Sequence, residues 1–63
     1  MFYIQSYEND HWKNVARHET LDGAVQQAEF RFINTISEKV RVYNPLRGET
    51  ATADGKPCVW ERK

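Results

Sequence analysis

Residues 21–36 read LDGAVQQAEFRFINTI, and the spacing of their apolar members decides the fold. At 100° per residue, Leu21, Ala24, Val25, Ala28, Phe32 and Ile36 fall within a wedge of roughly 120°, which predicts one amphipathic helix over 21–36. Thr20 stands where an N-cap is needed, and Asp22 lies in the first turn, where the helix dipole favours an acid. Gly23 occupies the place of a capping-box Glu, so the start signal is incomplete. Phe30 points almost directly away from the apolar wedge, and Ile33 sits on its flank.

The flanks of this segment read as strands. Phe2 to Tyr7 alternates, with Phe2 and Ile4 on one face and Tyr3, Gln5 and Tyr7 on the other. Glu8-Asn9-Asp10-His11 is a polar turn whose Asn and Asp tolerate left-handed backbone, and Trp12 to His18 reads as the return strand. Trp12 and Val15 are three apart, so either a bulge separates them or one faces away from the helix. After the helix, Val40 and Val42 share a face opposite Arg41 and Tyr43, and Asn44-Pro45 ends that strand. Leu46 to Ala53 is ambiguous between a loop and a ragged hairpin. Asp54-Gly55 is a strong turn dipeptide, and Val59 to Glu61 closes the chain as a strand starting at an edge after Pro57. The expected architecture is α+β, in the order ββαββ: one amphipathic helix packed on an antiparallel sheet of three to four strands. A strand at residue 2 and only three residues after Trp60 suggest a complete natural polypeptide forming one small domain over 1–63.

With 63 residues, the chain has little apolar area to bury, and domains of this size commonly gain stability by oligomerising. Cys58 is the only cysteine, so an internal disulfide is excluded and a reducing, cytoplasmic setting is expected. Apolar runs are only a few residues long, too short for a membrane span or the apolar region of a signal peptide. Formal net charge is zero, but unevenly distributed. Through Phe30 there are five acids and two bases, and from Arg31 onward seven bases and four acids. Such asymmetry marks a polar binding face, unless interleaved strands average it out.

No constellation for catalysis is legible. His11 and His18 are seven residues apart, a spacing that fits no metal-ligand motif, and Cys58 is distant from both in sequence. The isolated glycines form no phosphate loop. The chain is therefore expected to be non-enzymatic, without catalytic residues, metal, cofactor or small-molecule ligand. Two contact surfaces are expected instead. Phe30 and Ile33 form a second apolar ridge on a helix whose core stripe is already complete, the kind of feature that marks a protein partner or a homodimer. The alternative is that the helix is rotated and the loop from Asn44 to Lys56 covers Phe30. Arg41 and Tyr43 on the sheet are the second candidates for protein contact. A single-stranded nucleic-acid surface built from Tyr3, Arg41 and Tyr43, with Tyr7 beside them, is the competing reading. The zero net charge and the lack of RRM-type aromatic motifs argue against it.

An aromatic first strand, a polar turn, Trp12 and Val15, Thr20 before an alanine-bearing helix, Arg41-Val42 and a closing Val59-Trp60 resemble the short ββαββ proteins common in bacteriophage and prophage genomes. The resemblance covers nearly the whole chain, rests on pattern and architecture, and carries over no functional residues. It implies a small intracellular accessory protein that binds and modulates a host protein.

Overall fold

The computed structural model describes residues 1–62. The chain begins with a hairpin, β1 (Phe2–Glu8) and β2 (His11–His18), closed by Asn9 and Asp10. Both turn residues have positive φ, 50° and 66°, which matches the right-handed twist of the strands they join. Pairing runs from Glu8↔His11 to Gln5↔Asn14 and resumes at Ile4↔Ala16, leaving Val15 as the extra residue of a bulge. Both sequence alternatives therefore hold. The bulge turns Val15 and Ala16 together onto the core, while Trp12, paired with Tyr7, stays on the opposite face.

Helix α1 spans Leu21–Asn34. Thr20 caps it, its Oγ1 accepting from Gly23 N–H at 3.2 Å. The helix stops two residues short of the expected end, and Ile36, assigned by its spacing to the core stripe, is 99% exposed. Local side chains compete for the last turn: Thr35 Oγ1 donates to the Arg31 carbonyl at 2.7 Å and Asn34 Nδ2 to the Phe30 carbonyl at 2.8 Å. A distant residue completes the stop. Arg62 donates through Nη2 to the carbonyls of Phe32 and Thr35 and through Nε to that of Ser37, with its guanidinium over the Phe32 ring at 4.3 Å. A cation on orphan carbonyls is the favourable end of the helix dipole. Arg62→Ala should therefore cost about 1 kcal/mol in a denaturant titration, and Arg62→Lys should recover only part, lacking the planar fork.

Beyond the helix lie β3 (Lys39–Asn44), β4 (Glu49–Thr50), β5 (Thr52–Ala53), β6 (Lys56–Pro57) and β7 (Val59–Glu61). The main sheet has five strands: the path β2-β1-β3-β4, antiparallel throughout, with β7 also pairing β3. This exceeds the three to four strands expected from sequence. The cause lies at Val42, which accepts from Ala51 N–H at 2.8 Å and donates to the Cys58 carbonyl at 3.0 Å. One lane beside β3 is thus built from two pieces, β4 and β7. Between them the chain leaves the lane as a two-stranded ribbon, β5–β6, turning at Asp54 and Gly55 with φ of 53° and 77°.

The core is small and asymmetric. The sheet supplies Ile4, Val40 and Val42, all fully buried, and the helix supplies Ala24 and Ala28. Small residues on the helix let it approach the branched side chains of the strands closely. Phe2, Leu21, Val25, Phe32 and Trp60 close the rim. Among the described residues no helix is long and apolar enough to cross a membrane.

Candidate contact surfaces

The four residues expected to make protein contact divide between two faces. Phe30 and Ile33 lie on the outer side of α1, exposed at 68% and 67%. The 44–56 loop leaves Phe30 open, so the rotated-helix alternative does not occur. The two side chains are three residues apart and hence neighbours on the helical surface, and the still more open Ile36 follows just past the helix end. Beside them runs a shallow trough lined by His18, Gly23, Gln27, Phe30, Arg31 and Asn34. Gly23 is what keeps its floor low. The His18 ring lies across the Gly23 backbone, where a Cβ would sit no more than 2.7 Å from Cε1, Nδ1 and Nε2. The missing capping-box Glu is explained by this packing.

Arg41 and Tyr43 lie on the other face, the side of the sheet without a helix. The register there gathers Tyr3, Gln5 and Tyr7 of β1, Trp12, Asn14 and Arg17 of β2, and Lys39, Arg41 and Tyr43 of β3. Arg41 stands at the centre. Its Cζ is 4.2 Å from the Trp12 ring centroid and 5.0 Å from that of Tyr43. Its Nε donates to Gln5 Oε1 at 2.7 Å, and Gln5 Nε2 in turn donates to Asn14 Oδ1 at 2.7 Å. Tyr7 and Trp12 meet edge to face at 5.2 Å, and Lys39 Nζ lies 5.1 Å from the Tyr7 centroid. Among the described residues the ion pairs are Lys13–Glu8 and Arg47–Glu49, both elsewhere. Arg41 is therefore held by rings, the Gln5 amide and, through Nη1 at 3.5 Å, the Thr50 hydroxyl, without a carboxylate. Partial burial lowers its pKa, opposed by nearby Tyr43, and a guanidinium keeps its charge regardless.

Sequence reasoning placed Tyr3, Tyr7, Arg41 and Tyr43 on one face but missed Trp12. In the sequence Trp12 registers only as an irregularity against Val15. The two-residue turn pairs it with Tyr7, but its place over Arg41 depends on the register of β3 against β1, which is nonlocal.

His11 and His18 mark opposite ends of β2. Cys58 is buried. Desolvation raises its thiol pKa, partly offset by a backbone hydrogen bond from Ala53, which disfavours the nucleophilic thiolate. Among the described residues no three of His, Cys, Asp and Glu converge on a common point. No protein family, curated protein or solved structure matches the chain.

Proposed function

We propose that the protein is a non-enzymatic interaction module that works by presenting the Phe30–Ile33 ridge, together with the exposed Ile36 past the helix end, to another protein surface, a second copy of itself in the first instance. The exposure of Phe30 carries this reading: a large ring stays in water on a helix whose core stripe is already satisfied. Three side chains this open offer roughly 400 Å² per copy, the size at which an exposed patch marks an interaction site. Doubled and rimmed by polar neighbours, it approaches the ~1,000 Å² that a specific interface requires. The trough beside Phe30 sets a depression next to a projecting ring, as an isologous contact needs. The small core gives such a contact an added role in stability. A reducing cytoplasmic setting, consistent with the free thiol of Cys58, and an accessory role of the bacteriophage type belong to the same reading.

Phe30→Ala tests it. In dilute solution the variant should unfold within about 0.5 kcal/mol of the parent, as surface substitutions do, while sedimentation shows self-association weakened. A loss of about 3–5 kcal/mol would instead identify Phe30 as part of the core.

A further inference from the structure

We infer that the helix-free face of the sheet is a second, separate site, binding single-stranded nucleic acid on its aromatic rings and cations. Zero net charge for the whole chain had argued against such a ligand, but the register sorts charge by face. Arg17, Lys39 and Arg41 share the open face, with Glu61, opposite Lys39 at the rim, as the acid among the described residues. The local balance is thus +2 on a neutral molecule. Phosphates respond to that local field.

The rings are arranged to match. Tyr7 and Trp12 form an aromatic pair across β1–β2, and Tyr3 and Tyr43 are register partners across β1–β3. Four residues of strand rise separate the two pairs, roughly 13 Å. Arg41 bridges them, its guanidinium over both Trp12 and Tyr43, with Lys39 beside the first pair and Arg17 opposite Tyr3 in the second. Bases stack on aromatic rings and on guanidinium planes alike, while neighbouring cations hold the backbone. An acidic peptide would use the cations and leave the rings without a function. The helix, the element that would most readily enter a duplex groove, packs on the opposite side of the sheet.

The test is a fluorescence anisotropy titration of a labelled mixed-sequence 12-mer, single-stranded or annealed to its complement, at low ionic strength. Binding of the single strand in the micromolar range, weaker for the duplex, is expected, with a log–log salt slope of about −2 for three phosphate contacts. Arg41→Gln should weaken binding at least tenfold. Because Arg41 also braces Gln5, the rim variant Arg17→Gln/Lys39→Gln provides an independent check and should lose about tenfold with an unchanged circular dichroism spectrum. No binding up to 100 µM would overturn the inference, as would binding that neither variant weakens. Equal displacement by poly-glutamate would also overturn it, reassigning the face to acidic proteins.

Discussion

Ile4→Ala is expected to lower the unfolding free energy by about 3 kcal/mol, within the 2–5 kcal/mol that truncating a buried Ile costs. Ile4 is fully buried at the middle of the sheet, paired with Ala16 on one side and Val42 on the other. The neighbours that would have to close the cavity are poorly placed to do so. Val40 and Val42 are fixed in a central strand, and Ala24 and Ala28 have no side chain to extend. Global stability for 63 residues at 0.05–0.15 kcal/mol per residue is only about 3–9 kcal/mol. Much of it therefore rests on one side chain. A chemical denaturation curve at 25 °C should show the midpoint moving to low denaturant, or no folded baseline at all.

Gly23→Ala should destabilise by about 2 kcal/mol, the opposite of what helix propensity predicts. Ala is favoured over Gly inside an exposed helix by about 1 kcal/mol. Here, however, the added methyl would occupy the place of the His18 ring, and overpacking of this kind typically costs 1–3 kcal/mol. Eviction of the ring also removes the 3.4 Å hydrogen bond from Thr20 N–H to His18 Nδ1 at the start of the helix. The sign should reverse when the obstacle is absent. In a His18→Ala background, Gly23→Ala should stabilise by about 0.5–1 kcal/mol. A double-mutant cycle with no coupling between the two positions would show that the ring does not constrain Gly23.

Much of the fold was legible because it is written in local periodicity. The stripe Leu21, Ala24, Val25, Ala28 and Phe32 faces the core as a 3.6-residue repeat predicts, and Tyr3, Gln5 and Tyr7 lie opposite Ile4 as a two-residue repeat predicts. What the sequence hid depends on distant partners. Ile36 extends the stripe on paper, but Arg62 and the hydroxyl of Thr35 end the helix first. The split lane of β4 and β7 depends on two hydrogen bonds made by the Val42 backbone to Ala51 and Cys58, which no local pattern in 46–58 announces. The ridge at Phe30 was legible, since a helical wheel places it opposite the stripe. The cluster around Arg41 was legible only in part, because Trp12 joins it through the register of β3 against β1.

The outward ridge as a protein-contact surface is tested most directly by light scattering on the unmodified chain over roughly 10–500 µM. A weight-average mass climbing with concentration from 7.4 kDa toward twice that value is the expected result. A constant 7.4 kDa across the whole range would contradict it.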